Sequence, residues 1–227
     1  MRVRVKLISI AVVAAALAFV ALALLADREP SYEGIRLSSW VEDYVGAWTP
    51  KPRVDDAMMH MGKKAIPYLV SWMRQKSLEP KISIASKLHC PTTAINWLRS
   101  TDRRRCHRAE AACTALKALG SDAQDAIPKL KLVLKDGNNY EGCRRALNVL
   151  LNLGKPGLDP MLVGLSNENR QVRLQTLYAI MWANTNTERT VTSLRQAVKD
   201  ADPTVSSLAA IALGQIEHQT RATGAAE

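Results

Sequence analysis

A single phenylalanine and an aromatic content of 5% leave this 227-residue chain short of the bulky side chains that fill sheet-on-sheet cores. With Ala and Leu prominent in a composition that is 47% hydrophobic, closely packed helices are favoured over a β-sandwich, and the expected fold class is all-α. Catalytic signatures are also missing. There is no G-x-S-x-G elbow, no H-E-x-x-H pair, no paired carboxylates and no Gly-rich phosphate loop. His60, His89, His107 and His218 are scattered, and each reads as a surface or capping histidine rather than a general base. No cofactor is expected, and the chain is read as a non-enzyme.

Acidic residues are absent from positions 1–26, where Arg2, Arg4 and Lys6 precede Leu7–Ala26, an uncharged stretch with Ser9 as its one polar interruption. Twenty such residues span a bilayer core at about 1.5 Å per residue. Basic residues before the stretch, with Asp27, Arg28 and Glu29 after it, place the N-terminus inside and the remainder outside. A cleaved signal peptide has a shorter apolar region, which favours a transmembrane anchor, although Ala21-Leu22-Ala23 offers a cleavage site. Either outcome exports the rest of the chain: a periplasmic domain on a single-pass inner-membrane anchor, or a secreted one. The whole chain carries +10; the three basic residues of this segment account for part of it and leave +7 downstream. That excess suits either a solvated basic surface or an anionic partner.

Self-similarity organises the downstream chain. From Arg108, the residues Ala112, Ala115, Leu116 and Leu119 form one apolar helical face that ends at Gly120. Ala126-Ile127-Pro128, Leu130, Leu132 and Leu134 then form a return helix. Equivalent helix ends fall at Gly62, Gly154, Asn184 and Glu217, the last three intervals being 34, 30 and 33 residues. Val172-Arg173, Thr176, Ala179 and Ile180 overlay the same template, as do Val205, Ala209, Ala212 and Leu213. Pro67, Pro128 and Pro160 are expected early in return helices, where a missing N–H costs little. Asp202-Pro203 is a helix start, and Asn167 and Asn169 mark the matching turn one repeat earlier.

These residues resemble short HEAT repeats of the kind also found in phycobilin-lyase proteins. Asp200-Ala201-Asp202-Pro203-Thr204-Val205 matches the repeat's turn, and Ala65-Ile66-Pro67-Tyr68-Leu69 and Ala126-Ile127-Pro128-Lys129-Leu130 match its second helix. Tyr32, Gly34, Leu37-Ser38-Ser39-Trp40 and Met61–Pro67 are similar to the opening of a group of exported bacterial HEAT proteins. The resemblance covers residues 50–217. It implies a right-handed α-α superhelix, or solenoid, of about four to five helix pairs. The pattern departs at Ser206, where the repeat's Arg is kept one repeat earlier at Arg173, so any Asp/Arg ladder between repeats is incomplete.

The expected organisation is an anchor or signal over 1–29, a capping helix over 30–49, the repeats over 50–217 and a frayed tail over 218–227. Ser39-Trp40-Val41-Glu42 reads as a capping box, with Trp40, Val41, Tyr44 and Val45 on the apolar side of its helix. Residues 78–102 fit the repeat period poorly, with Pro80 and Pro91 as breakers, and are expected to be an irregular insertion of one or two short helices and a loop.

Three features could carry function. Arg99, Arg103, Arg104, Arg105 and Arg108 form a basic ridge, either solvated or contacting an anion such as a lipid headgroup, a polysaccharide or an acidic protein. Export favours oxidation, so Cys90 and Cys106 are a possible disulfide worth about 2–4 kcal/mol. Cys113 sits in a helix of Ala and Leu as an apolar filler, while Cys143 is an alternative pairing partner. His89-Cys90 and Cys106-His107 supply zinc-type ligands, but adjacent side chains rarely converge on one ion. Trp40, Trp48, Trp72, Trp97 and Trp182 are expected mainly in helix packing rather than in a sugar or peptide platform.

The leading reading is a non-catalytic protein-interaction scaffold of the bacterial cell envelope, with an unidentified protein as partner and the membrane reached through the N-terminal helix. An anionic-ligand or nucleic-acid-binding HEAT module is the alternative; export argues against nucleic acid. A lyase-like enzyme is the second alternative and lacks a visible constellation. A reporter that is active only after export, fused behind Glu227, is expected to be active. A cytoplasmic result would reverse the topology and revive nucleic acid.

Overall fold

Apolar residues spaced three and four apart become helix almost throughout the computed structural model, which describes residues 29–44, 51–183 and 185–224, with side chains as far as His218. Leu7–Ala26, Val45, Trp48, the helix end expected at Asn184 and the last residues of the tail lie outside the described residues. No helix among those described is long and apolar enough to cross a membrane.

The described chain opens on a two-residue ribbon, β1 (Ser31–Tyr32) against β2 (Ile35–Arg36), antiparallel with Ser31 opposite Arg36. Glu33 and Gly34 turn it with φ of 50° and 73°, the positive values a tight hairpin needs. Helix α1 (Leu37–Glu42) buries Leu37, Trp40 and Val41. It begins two residues before the expected capping box, so Ser39 lies inside the helix. Ser38 donates instead to Glu29 at 2.6 Å.

Helix α2 (Pro52–Met61), a 3-10 turn over Gly62–Ala65 and α3 (Ile66–Met73) make the first helix pair. Then come α4 (Glu79–Lys87), α5 (Thr92–Ala118), a 3-10 segment over Gly120–Ala126 and α6 (Ile127–Leu134). Helix α7 (Tyr140–Asn152), α8 (Lys155–Met161), a 3-10 turn over Leu162–Ser166, α9 (Arg170–Ala183), α10 (Glu188–Ala197) and α11 (Pro203–Gly224) complete the order. At the expected helix ends Gly62, Gly120 and Gly154, φ is 52°, 56° and 64°. Gly154 pairs that value with ψ of −138°, a combination that a Cβ would obstruct.

Helices α2, α5, α7, α9 and α11 touch in succession, while the return segments α3, α6, α8 and α10 pack behind them. Each leading helix turns its apolar stripe inward: Ala112, Ala115 and Leu116 on α5, Val172, Leu177 and Ile180 on α9, and Val205, Ala209 and Ala212 on α11 are all buried. One apolar cluster extends from Leu37 to Val172, and a second from Leu174 to Ile216, so α9 contributes to both.

Polar side chains close the joints between pairs. The last carbonyls of a helix have no intrahelical donor. Here the next turn supplies one: Asn139 Nδ2 donates to Arg74 O at 2.8 Å, Asn167 Nδ2 to Leu134 O at 2.7 Å and Asn169 Nδ2 to Gly137 O at 3.0 Å. Arg145, 4% exposed, does the same at larger scale. Its Nη1 donates to Met73 O and Gln75 O at 3.3 and 3.2 Å, and its Nε to Glu110 at 2.9 Å. Farther along, Arg173 donates to Asp200 at 3.0 Å and Arg170 pairs with Asp202 at 2.7 Å. At the repeat's missing arginine, Ser206 bonds only the local Pro203 carbonyl.

Several expectations are corrected. Within 78–102 the structure has helix over 79–87, a short loop and helix from 92 onward, and Pro80 and Pro91 are not breakers: Pro80 occupies the first turn of α4 and Pro91 precedes α5, which continues unbroken to Ala118. Pro160 falls in the last turn of α8, and Pro156 takes the first-turn place beside Gly154. Helix α11 runs past Glu217 to Gly224, through part of the stretch expected to fray. Leu132 points outward, 64% exposed, between the buried Leu130 and Leu134.

Removing Arg145 would leave the Met73 and Gln75 carbonyls without their donor, while half-exposed Glu110 would keep its second partner, Arg144. Arg145→Ala is expected to cost about 2–3 kcal/mol in urea unfolding. Arg144→Ala, on the half-exposed neighbour, is expected to cost about 1 kcal/mol or less; equal losses would show that Arg145 is not the joint.

Candidate functional site: a basic helical hairpin

Helix α4 folds back on the first turns of α5 around a small apolar cluster of Leu78, Ile82 and Ile95, with Ala85, Cys90 and Leu98 at its edge. The two helices are antiparallel. Asp102 of α5 ties the start of α4, accepting from Leu78 N at 2.6 Å and from Ser77 Oγ at 3.0 Å. At the far end His89 takes a φ of 55°, and Cys90 N returns to Ala85 O at 3.0 Å. Within 92–102 only Ile95 is fully buried, so this part of α5 stands away from the main core.

The five ridge arginines divide by partner. Arg108 is held: it pairs with Glu42 at 2.5 Å and lies over the Trp72 ring at 5.6 Å, joining α5 to α1 and α3. The other four lack a carboxylate partner among the described residues. Arg99 and Arg103 are exposed, Arg104 reaches only Thr101 Oγ1 at 3.5 Å, and Arg105 is half-buried. Arg53, Arg74, Arg144, Arg145, Arg170, Arg173, Arg189 and Arg195 all end on carboxylates. Chemically, these four guanidinium groups are hydrogen-bond donors with no carboxylate acceptor among the described residues.

The cysteines are free, so Cys90 and Cys106 are not cross-linked in this structure. Cys90 packs into the hairpin cluster, whereas Cys106 faces Asp102 with its sulfur 3.8 Å from the carboxylate. Burial, and then the Asp102 charge, push the Cys106 thiol above its ordinary pKa. Cys113 and Cys143 are buried as fillers, and burial pushes Cys113 up to about 12 and Cys143 up to about 11. Cys143 also donates to Val133 O at 3.1 Å. Among the described residues, no three of His, Cys, Asp and Glu converge as metal ligands.

The tryptophans do not share one role. Trp40 is buried and Trp72 packs under Arg108, but Trp97 is 63% exposed on α5 and Trp182 is 82% exposed on α9. The histidines lie apart, with His60 stacked on Tyr32 at 4.5 Å between ring centroids.

Two sets of residues escape a reading of the sequence. Ile84 on α4 and Leu88, one turn later at its C-cap, are 58% and 71% exposed. They look like core because Ile82 and Ala85 beside them are. The second set lines clefts between return segments. A cleft of about 500 Å³ lies between α3 and α6 with Val70, Arg74, Lys76, Lys129 and Leu132 on its walls. Another, of about 380 Å³, comes next along the row with Lys131, Asp159, Pro160 and Arg189. The spacing of Lys129 and Lys131 around Leu130 is the signal that both flank a buried residue and face out.

Comparison with known proteins gives no match among family models, curated sequences or solved structures. The HEAT resemblance therefore stands on the residues that carry it.

Alkylation at mildly alkaline pH is expected to label Cys90 first and Cys106 more slowly, while Cys113 and Cys143 react only on unfolding. The raised thiol values also set a sign. Stability is fully present below about pH 9, where an unfolded thiol begins to ionise, and is lost as pH rises toward 11–12. A non-reducing mass map showing Cys90 joined to Cys106 would reverse the assignment.

Proposed function

We propose that this chain is a non-catalytic interaction scaffold of the bacterial envelope, built from HEAT-like helix pairs in a solenoid and held at the membrane by the Leu7–Ala26 segment. The observation that carries the reading is the row of shallow clefts along the return segments. Beyond the two between α3, α6 and α8, a third of about 450 Å³ is lined by Leu162, Leu165, Ser193, Gln196 and Asp200. Open clefts repeated along one side suit an extended segment or a protein surface better than one enclosed small molecule.

Lys76, Lys129, Lys131 and Lys199 line this side without ion-pair partners among the described residues, which favours an acidic partner. Support for a non-catalytic role comes from the burial of Cys113 and Cys143 and from Asp102 being tied to Leu78 N and Ser77 Oγ beside Cys106, whose thiol is pushed up rather than activated.

A photo-crosslinking residue in place of Leu132 is expected to capture a discrete partner in intact cells. The adduct should fall roughly tenfold with Lys129→Glu/Lys131→Glu and persist with Lys117→Glu on the leading-helix side. Identical adducts from position 178, on that other side, would remove the cleft from the reading.

A further inference from the structure

We infer that the α4–α5 hairpin is a docking surface for an anionic lipid bilayer. The inference is independent of the cleft-binding reading, since it concerns other residues on another part of the molecule.

The first step is placement. Taking about 100° per residue and measuring from the buried stripe of each antiparallel helix, Lys81 and Ile84 of α4 and Leu88 at its C-cap fall on the same side of the hairpin as Trp97, Arg104 and Arg105 of α5. Ile84, Leu88 and Trp97 are each more than half exposed. This short hairpin thus carries three of the molecule's exposed large apolar side chains beside three cations.

The second step is charge. The acids of the hairpin helices up to Arg105 are Glu79 and Asp102. Asp102 is occupied by Leu78 N and Ser77 Oγ, and Glu79 falls on the opposite side of α4 from Ile84 and Leu88. No carboxylate of the hairpin therefore shares the face with Lys81, Arg104 and Arg105. Elsewhere, apart from exposed Arg36, every arginine whose side chain is described outside the hairpin is neutralised by an acid. The exception is local and uniform in sign.

Three occupants would accept those cations, and the apolar residues choose among them. A nucleic-acid backbone uses the charges but gives Ile84 and Leu88 nothing to enter. An acidic protein would need a matching apolar pocket. A bilayer interface uses every group at once: Trp settles at headgroup depth, Ile and Leu enter the acyl boundary, and Lys and Arg reach lipid phosphates with their stems along the apolar surface. Position in the chain agrees. Glu29, where the described chain begins, bonds Ser38 of α1; α1 is joined through Glu42 to Arg108, one turn from Arg104. The uncharged stretch Leu7–Ala26 immediately precedes it in sequence.

The test uses the full chain reconstituted into vesicles of phosphatidylcholine alone or mixed with phosphatidylglycerol. Amide exchange across residues 79–105 is expected to slow roughly tenfold on the anionic vesicles, an effect removed by Lys81→Gln/Arg104→Gln/Arg105→Gln. Bromine-labelled acyl chains are expected to quench a fluorescence component that Trp97→Phe abolishes and Trp182→Phe leaves, and Ile84→Ser/Leu88→Ser should reduce that quenching. Circular dichroism confirms that each surface variant keeps its helix content. Equal protection on both vesicle types would overturn the inference, as would quenching that tracks Trp182. Protection by a single-stranded oligonucleotide that Ile84→Ser/Leu88→Ser leaves unchanged would overturn it in favour of a phosphate-backbone site.

Discussion

Return helices in this molecule end on carbonyl groups that their own backbone has no means of satisfying, and the side chains of the succeeding turns satisfy them. Asn139, Asn167 and Asn169 each reach back to the preceding segment, and Arg145 reaches the last carbonyl of α3 and one just past it while its Nε holds Glu110. Apolar burial sets how closely the helices approach, but it is nondirectional. The amides and guanidinium supply direction. They specify which turn meets which helix end, and so align the clefts on one side of the molecule and keep the leading helices on the other.

Much of this was legible in the residues. Faces of Ala and Leu at helical spacing, glycines at positive φ and prolines in first turns are local signals, decided within one or two helical turns, and they reappear as α5, α6, α9 and α11 with little change. What failed needed information from a distance. Arg145 sits beside Arg144 in an apparently ordinary basic pair, and its burial depends on Met73 and Gln75, some seventy residues earlier. The five-arginine ridge was legible as a cluster, yet Glu42 and Trp72 claim Arg108 and leave the rest. Pro80 and Pro91 have the same local chemistry whether they start or stop a helix. The choice was made by the packing of Ile82 against Ile95.

On the proposed reading, function is a property of surfaces. The buried thiols are fillers, the histidines are dispersed, and the unpaired arginines among the described residues, Arg36 apart, lie on the hairpin, while unpaired lysines edge the clefts. Two contacts of different character are thereby kept apart. One is a row of lysine-edged hollows between rigid segments; the other is a projecting helix pair where cations border bare aliphatic and indole groups. Neither demands the sub-ångström placement that a catalytic centre requires, which accords with a framework whose precision is spent on joints between helices.

The division of the interior at α9 has a mechanical meaning. Val172 belongs to one apolar cluster, while Leu174, Leu177 and Ile180 belong to the other, so a single helix is the hinge pin shared by two cores. Pulling or heating the chain would find that seam. The block from α9 to α11 could yield while the block before it stays closed, giving the molecule two melting steps in place of one and letting its far end give way without loosening the end nearest the N-terminal segment.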